Sequence, residues 1–541
     1  MDKEKKILEF LEKDILLSPD LEDELDSLDT TDAEDRMGSE STKNPLLLDK
    51  KNKDLLGKQV DWNSFDEAKV AAEKGATKQY DRMVELAANG DLDERGIRIL
   101  RNYTKRSRKR RYEDFVAHFN QRFKVLSGML RKRSELQGAT AIARLKGRSR
   151  NEQAALIAMI KEKTITKNKN VILTLEDQTG EFKALITRKK QELYAKGRDL
   201  VLDEIIGVTG NLGDGILFIN ELYTPDIPIT HELKKGPNEE YLVIIGDPQV
   251  GSKEFLAKDF AKMLAWLRGE LGNEEQRAVA RKVKYVVVIG DLVEGVGVYP
   301  GQERDLIIKD IKEQYEAFAA LITQIPKHIE ILCIPGNHDA GRIAEPQPPI
   351  YKDFAAVLYA LPNVTMLSSP SWVTLGADPA RGFAGFTLLL YHGYSLIYYA
   401  DNVPSIRERG GQKRAELIMK FLLQRRHLAP THKSNLYIPD PDEDPLVIDL
   451  VPDFFITGHI HRISSAVYRG VSVINASAWC DITDNQEKRG LEPQPGRLSV
   501  VNLQTRDVKV INFYSGKGRG VADATTAQDG AASDTKAGGT A

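Results

Sequence analysis

The chain has 541 residues, which is enough for two or three domains with ordinary cores. Its 77 Lys and Arg residues nearly balance 79 Asp and Glu residues, so any affinity for nucleic acid must come from a local basic patch. Its two cysteines, Cys333 and Cys480, do not indicate a disulfide framework or a structural zinc site. With no signal peptide and no apolar run long enough to span a bilayer, the composition predicts a cytoplasmic protein with no membrane partner.

The first 60 residues are predicted to be mostly disordered, apart from a short helix at 3–16. Residues 18–35 are crowded with Asp and Glu, and acidic, aromatic-poor sequence cannot bury enough apolar surface to fold alone. Residues 61–112 are predicted to hold a small helical module and a basic linker, and the module either recruits another factor or serves as a tether. At the other end, residues 516–541 are rich in Gly, Ala, Asp and Thr and are predicted to be disordered.

A basic run, RNYTKRSRKRRY at residues 101–112, precedes the first long helical pattern. Such a run can be a solvated linker, or it can bind a phosphate backbone with an affinity that falls as salt rises. The candidate nucleic-acid-binding residues are Arg106, Arg108, Lys109, Arg110 and Arg111.

Residues 113–230 are predicted to form an amphipathic helix followed by a small β-barrel. Apolar residues recur at helical spacing over 114–133. Between 154 and 228, short apolar strands alternate with turns, which predicts about five strands, the number in an OB barrel. OB folds commonly hold single strands by stacking on aromatic rings. This barrel is poor in aromatic residues, so docking of other subunits is an equal alternative.

Five short polar motifs in the second half of the chain each follow an apolar, β-branched run. They are GDPQVG at 246–251, GDLVEG at 290–295, GNHD at 336–339, HG at 392–393 and GHIH at 458–461. Apolar runs of this kind are typical of strands buried on both faces, and helical patterns between the first three predict a parallel sheet. Because ligands bind at the carboxyl ends of parallel strands, the five loops are predicted to meet at one edge of a domain spanning 238–515.

The side chains in these loops are those that a two-metal phosphoesterase needs. Two cations about 3.5–4 Å apart can activate water and stabilise the leaving oxygen of a phosphodiester. Asp291 is the predicted bridge between them. Mixed oxygen and nitrogen ligands favour manganese, with iron and zinc as alternatives, over calcium. The candidate ligands are Asn337, His392 and His459 for one ion, Asp247 and His461 for the other, and Asp291 for both.

His338 is predicted to be an acid and not a ligand. It comes one residue after the candidate ligand Asn337, where it can protonate the leaving oxygen. Asp339 or another carboxylate would orient its ring. The candidate catalytic residues are therefore His338 and Asp339.

A Pro- and Asp-rich segment at 435–453 precedes the last motif and is predicted to be a surface loop. Its carboxylates are predicted to be solvated and not to bind calcium, because prolines interrupt their spacing. These carboxylates belong to Asp440, Asp442, Glu443 and Asp444.

The motif set resembles the calcineurin-like metallophosphoesterase superfamily. Further segments resemble the small subunit of the archaeal family-D replicative DNA polymerase; they are GVGVYPGQ at 295–302, RHLAPTH at 426–432, VPDFFITGHIHR at 451–462 and residues 475–479. The resemblance covers roughly residues 113–515. It implies a multidomain α/β plus β chain, in which an OB barrel is followed by a four-layer α/β/β/α phosphoesterase domain.

The same resemblance implies a function in DNA replication. In that family the small subunit carries a metal-dependent 3′–5′ exonuclease that degrades single-stranded or mismatched DNA ends. It supports DNA synthesis as a heterodimer with a large catalytic polymerase subunit. Further expectations are a nucleoid-associated location and contact with a sliding clamp or primase.

One position departs from the family pattern, because the first motif usually reads Asp-x-His and here has Gln249. A Gln amide oxygen is a weaker ligand for a transition metal than an imidazole. Retained nuclease activity with a weakened site is the favoured interpretation. The alternatives are a non-catalytic assembly scaffold and, less in keeping with the additional segments, a small-molecule phosphatase.

Overall fold

The computed structural model describes residues 15–17, 46–48, 95–105, 108–145, 147–482 and 492–516. The chain divides into two units, residues 1–71 and 72–541. In the first unit, strands β1 (Ile15–Leu17) and β2 (Leu46–Leu48) pair in parallel. The remainder of the predicted helix at 3–16, the helical module before residue 95 and the tail after residue 516 lie outside the described residues.

Within the second unit, helix α1 (Tyr112–Leu130) is followed by a closed five-stranded barrel. Leu126 and Leu130 of the helix pack on Ile157 and Ile205 of the barrel, as predicted from its apolar spacing. Neighbouring strands of the barrel are antiparallel except for one parallel pair, Gly180–Ile186 with Ile216–Tyr223. The strands are β4 (Gln153–Ile165), β5 (Val171–Asp177), β6 (Gly180–Ile186), β7 (Ile205–Leu212) and β8 (Ile216–Tyr223), with helix α2 (Gln191–Arg198) between β6 and β7.

The rest of this unit is built on two six-stranded sheets. The first has the order β12-β11-β10-β9-β18-β19. Its strands are β9 (Tyr241–Ile245), β10 (Val283–Ile289), β11 (Glu330–Ile334), β12 (Val364–Met366), β18 (Arg497–Asn502) and β19 (Val508–Asn512). Strands β9 to β12 run parallel, as the alternation of strands and helices predicts.

The second sheet has the order β16-β17-β15-β14-β13-β3. Its strands are β3 (Arg98–Asn102), β13 (Ser371–Leu375), β14 (Phe386–Leu390), β15 (Phe454–Thr457), β16 (Ser464–Tyr468) and β17 (Val471–Asn475). Strand β3 lies before the barrel in the chain but pairs with β13. The predicted boundaries put residues 98–102 in a linker region, whereas the structure makes them an edge strand of this sheet.

Three apolar layers hold the two sheets and their helices together. In β9, Val243 and Ile245 pack toward the outer helices, while Leu242 and Ile244 pack against the second sheet, so the strand is buried on both faces. The helices on the first sheet are α3 (Ala257–Leu267), α4 (Glu274–Ala280), α5 (Ile311–Ile322) and α6 (Lys352–Tyr359). Those on the second are α7 (Leu396–Asn402), α8 (Pro404–Arg407) and α9 (Ala415–Arg425). The order of layers is helix, sheet, sheet, helix.

None of the helices in the described part of the chain reaches the length and hydrophobicity that crossing a bilayer requires.

A candidate metal centre between the two sheets

The candidate metal ligands lie at the carboxyl ends of strands from both sheets. Asp247, Asp291 and Asn337 follow β9, β10 and β11 of the first sheet. His392 and His459 follow β14 and β15, which are parallel neighbours in the second sheet. The five loops were predicted to meet at one edge of the domain, and the structure brings them to that edge from two sheets packed face to face.

The backbone of these loops is strained. Five non-glycine residues have φ between 44° and 68°; they are Asp247, Gln249, Asp291, His459 and His461. A residue with a Cβ atom costs about 1–2 kcal/mol in this left-handed region. Clusters of such residues are typical of functional sites, where the surrounding structure holds them in place.

Glycines precede the ligands because there is no space for a side chain. A Cβ atom on Gly290, whose φ is +92°, would lie 2.4 Å from Nδ1 of His392. One on Gly336 would lie 2.1 Å from Oδ1 of Asp291. The Gly290-Asp291 and Gly336-Asn337 pairs therefore reflect close packing of each loop against a candidate ligand from another loop.

Asp291, His392 and His459 form the core of the centre, with one ligand atom of each within 4.8 Å of the others. His392 Nε2 lies 3.4 Å from Asp291 Oδ2 and 3.0 Å from Asn337 Oδ1. The other ring nitrogen, Nδ1, lies 2.9 Å from the carbonyl oxygen of Ile289, to which it donates. This contact orients the ring and directs Nε2 toward the carboxylate and the amide, as in metal-binding histidines.

Charge within the cluster sets the ionisation of its members. Burial by itself lowers the pKa of His392, but the charge of Asp291 raises it to about 10. Burial likewise opposes ionisation of Asp291, yet the charges of His392 and His338 hold its pKa well below its usual value. Burial and the charge of His392 keep the pKa of His459 well below its usual value, so this imidazole is neutral, the form that binds metal. Carboxylate, amide oxygen and imidazole together fit a divalent transition metal.

The other half of the predicted centre consists of Asp247 and His461. His461 Nε2 lies 3.4 Å from Asp247 Oδ1, and the backbone N–H of His459 donates to both oxygens of Asp247. Gln249 is buried in the same loop, and its backbone N–H donates to the carbonyl oxygen of Asp291 at 2.9 Å. The Gln249 amide makes no side-chain hydrogen bond within the part of the chain that the structure describes. It is therefore available to a ligand.

His338 lies beside the bridge position, with its backbone N–H donating to Asp291 Oδ1 at 2.8 Å. Its side chain is 17 % exposed, and Nδ1 contacts the carbonyl oxygen of Glu294 at 2.8 Å and Glu294 Oε1 at 3.7 Å. Burial lowers the pKa of His338, but the charges of Asp291 and Glu294 more than reverse this and raise it. Sequence reasoning missed Glu294, although it is the fifth residue of the GDLVEG motif.

The ring of His338 was predicted to be oriented by Asp339 or by another carboxylate, and the contacts of Asp339 lie elsewhere. Its Oδ2 accepts from the backbone N–H groups of Gly336 and Leu292, and its Oδ1 accepts from the Tyr315 hydroxyl at 3.0 Å. Burial raises the pKa of Asp339 to about 7. Asp339 thus ties together the loops that carry Asn337 and Asp291, and the carboxylate that faces the His338 ring belongs to Glu294.

Much of the basic run is neutralised by other parts of the chain. Arg108 makes a 2.8 Å ion pair with Asp114, and Lys105 makes one of the same length with Asp440. Arg111 donates its backbone N–H to Asp114 at the start of α1. Among the other predicted nucleic-acid-binding residues, Lys109 is exposed, Arg110 is half-buried and Arg106 lies outside the described residues.

The acidic loop before β15 is not fully solvated. Asp442 and Glu443 are exposed as predicted, but Asp440 and Asp444 are buried. Asp444 accepts from Nε of the fully buried Arg122 at 2.6 Å. The prediction failed for Asp440 and Asp444 because the cations that neutralise them lie more than 300 positions away in the chain.

Comparison with known proteins gives consistent results. Residues 241–462 match the calcineurin-like phosphoesterase family. The chain is 39% identical over 389 residues to the DNA polymerase II small subunit of Methanothermobacter thermautotrophicus, covering 72% of this chain and 77% of that one. It is 36% identical to the Archaeoglobus fulgidus protein of the same name, covering 75% of this chain and 78% of that one. It is 37% identical to the Pyrococcus furiosus protein, covering 74% of this chain but only 64% of that longer relative. The chain therefore belongs to the family of archaeal DNA polymerase II small subunits and carries the calcineurin-like phosphoesterase domain that the sequence motifs predicted.

Proposed function

We propose that this chain is the exonuclease subunit of a two-subunit replicative DNA polymerase and removes nucleotides from single-stranded or mismatched 3′ ends. The observation that carries this proposal is the cluster of Asp291, His392 and His459, which lies next to Asn337 and to the partly exposed ring of His338. Buried carboxylate and imidazole groups that converge in this way, without a Lys or Arg among them, have the chemistry of a metal site.

Two divalent ions, with manganese as the preferred metal, would activate the attacking water and screen the phosphate oxygens when bound. One ion would be held through oxygen and nitrogen donors, by Asp291, Asn337, His392 and His459. Asp247 and His461 would hold the other, shared with Asp291. The left-handed backbone at four of these residues fixes their donors before any ion binds, which reduces the reorganisation that binding requires; the four are Asp247, Asp291, His459 and His461.

The residues around the metals would position the substrate and move the proton. His338 Nδ1 is held by the carbonyl oxygen of Glu294, which leaves Nε2 to face the leaving sugar oxygen and donate a proton to it. The Glu294 carboxylate stabilises the protonated ring. Asp339 keeps the loops of Asn337 and Asp291 at a fixed separation through its hydrogen bonds to Gly336 and Leu292.

Gln249 favours a second candidate function, that of an assembly scaffold without catalysis. The longer side chain and weaker amide donor would lower the affinity for the ion held by Asp247 and His461. Nuclease activity remains the better-supported function, because the other predicted ligands keep their positions around the cluster. A small-molecule phosphatase would have no use for the barrel at residues 153–223.

The barrel supports a place within a larger assembly. We infer that it is of the OB type, since five strands close into one barrel with a single parallel pair, β6 with β8. Its partner would be the large polymerase subunit, with a sliding clamp or primase as further contacts. Lys109 and Arg111 remain candidate DNA contacts.

The test is manganese-dependent digestion of a 5′-labelled single-stranded oligonucleotide by the purified chain. We expect a ladder that shortens from the 3′ end, and we expect Asp291→Ala and His338→Ala to abolish it. Asp442→Asn, which removes an exposed carboxylate from the acidic loop, is the matched control and should digest normally. An absence of products from the wild-type chain, both alone and with the large subunit, would leave the scaffold as the function.

A further inference from the structure

A basic cleft opens beside the last metal-ligand motif, and the proposed chemistry at the metal centre makes no use of it. The cleft has a volume of about 350 Å³ and is lined by Arg407, Lys413 and Arg462. Ile460 and Arg462, which flank the candidate ligand His461 in the chain, are both part of its wall. One loop therefore contributes both to the wall of the cleft and, through His461, to the candidate metal centre.

An anionic side chain already lies in this cleft. The Glu492 carboxylate is 2.7 Å from Lys413 Nζ and 3.9 Å from the Arg462 guanidinium, which also donates to the Glu492 carbonyl oxygen at 2.8 Å. The hydrogen bond from Lys413 lowers the pKa of Glu492, so the side chain is charged at neutral pH. The cleft therefore binds a negatively charged oxygen group through two cations.

Positive charge remains after this pairing. Arg407 makes no ion pair with any other described residue, and its guanidinium contacts the carbonyl oxygen of Asp401 at 3.4 Å. Asp401 also lines the cleft, so three cations face two carboxylates. If Glu492 moved away, two uncompensated positive charges would be left next to the metal centre.

We propose that Arg407, Lys413 and Arg462 form a subsite for a backbone phosphate of single-stranded DNA, adjacent to the scissile phosphodiester, and that Glu492 occupies this subsite when no strand is bound. The inference rests on the proposed function, because it extends the metal centre along the substrate strand. Arginine guanidinium groups and lysine ammonium groups bind phosphate oxygens through charged hydrogen bonds. An exposed ion pair such as Lys413–Glu492 contributes little to stability, so a strand that also reaches the metal centre can displace the carboxylate.

The subsite is tested by binding of a fluorescent single-stranded oligonucleotide to the full chain in the presence of a chelator, so that nothing is cleaved. Lys413→Gln and Arg462→Gln should each raise Kd, by about three- to tenfold. Each should also lower the slope of log Kd against log salt by about 0.7, since one phosphate contact is lost. Glu492→Gln should have the opposite effect and lower Kd by a similar factor.

The matched control is a second exposed ion pair, Lys282 with Glu239. These residues precede β10 and β9, so they lie at the end of the strands opposite to the metal-ligand loops. Lys282→Gln and Glu239→Gln should leave both Kd and the salt slope unchanged. If Lys413→Gln and Glu492→Gln behave like these controls, or if they shift Kd in the same direction, the subsite is refuted.

Failure of the subsite and failure of the proposed function are separable. Hydrolysis of bis(p-nitrophenyl) phosphate by the wild-type chain with manganese reports on the metal centre alone. A higher Kd for Lys413→Gln together with a lower Kd for Glu492→Gln supports the subsite even if this small diester is not hydrolysed. Hydrolysis combined with unchanged binding in all cleft variants would support the metal centre and overturn the subsite.

Discussion

Two buried clusters in this protein use the same residue types for different purposes. One joins helix α1 to the acidic loop before β15 and consists of His118, Arg122, His427 and Asp444. The other is the candidate metal centre of Asp291, His392 and His459. The first cluster contains an arginine that neutralises its carboxylate. In the second, histidines balance the carboxylate within the described part of the chain, and the backbone is left-handed at Asp291 and His459.

The comparison shows how a structural cluster differs from a site that accepts a ligand. Arg122 and His427 both contact Oδ2 of Asp444, at 2.6 and 2.9 Å, so the charge of Asp444 is satisfied within the chain. Burial lowers the pKa of His427 to about 4, which keeps that ring neutral. In the metal centre, the charge of Asp291 instead raises the pKa of His392. The cluster with no permanent cation among the described residues is the one that we propose to hold a metal ion.

The largest expected effect is loss of catalysis without loss of folding. Asp291→Asn removes the bridging charge, so the rate of oligonucleotide digestion should fall by at least about a thousandfold. Thermal unfolding of the metal-free protein should move only modestly downward, because His392 loses the carboxylate that raises its pKa but, unlike an arginine, can become neutral. If Asp291→Asn loses much of its folding stability as well as its activity, the cluster has a structural role like that of the Arg122 cluster.

Arg122→Met should show the opposite behaviour. Removing the guanidinium leaves the Asp444 carboxylate buried without its cation, which should lower the free energy of unfolding by about 3 kcal/mol or more. Lys124→Met, an exposed position on the same helix, is the matched control and should stay within about 0.5 kcal/mol of wild type. Equal stability of the two variants in denaturant titrations would contradict the structural role of the Arg122 cluster.

The pH dependence of stability gives a third test. The folded-state pKa of His427 is about 4, below its ordinary value, so between roughly pH 6.5 and 4 the unfolded chain binds a proton that the folded chain does not. Stability from this residue is therefore lost as the pH falls through that window, by up to about 3 kcal/mol. His427→Gln should remove this part of the pH dependence when unfolding is measured from pH 7 to 4. Parallel curves for the two proteins would show that His427 titrates normally.

The smallest expected effect concerns the weakened metal position. Gln249→His supplies an imidazole in place of an amide, so the manganese concentration that gives half-maximal digestion should fall by roughly tenfold. Gln324→His, on the exposed end of the segment after α5, controls for a gain of histidine elsewhere. No change in the manganese requirement would mean that Gln249 does not face the ion.

The candidate metal ligands could be proposed from the sequence because they follow strands. An apolar run followed by Gly-Asp or Gly-Asn marks the end of a buried strand, and such ends converge. The sequence left open which carboxylate orients the His338 ring, Asp339 or another, because adjacent residues on a tight turn point to different sides. His338 therefore reaches Glu294, which is 44 positions away, while Asp339 reaches the backbone of Leu292.

The sequence by itself determined the strands that precede the five motifs, the barrel count of five and the order in which the candidate ligands appear, since these depend on local periodicity and on motifs a few residues long. Only the tertiary structure decided that β3 joins the second sheet, that Arg122 neutralises Asp444, and that Glu492 lies between Lys413 and Arg462. These contacts join residues between 30 and 322 positions apart. Charge pairing over such separations leaves no periodic signal in the chain, because it is fixed only when the packed layers bring the side chains together.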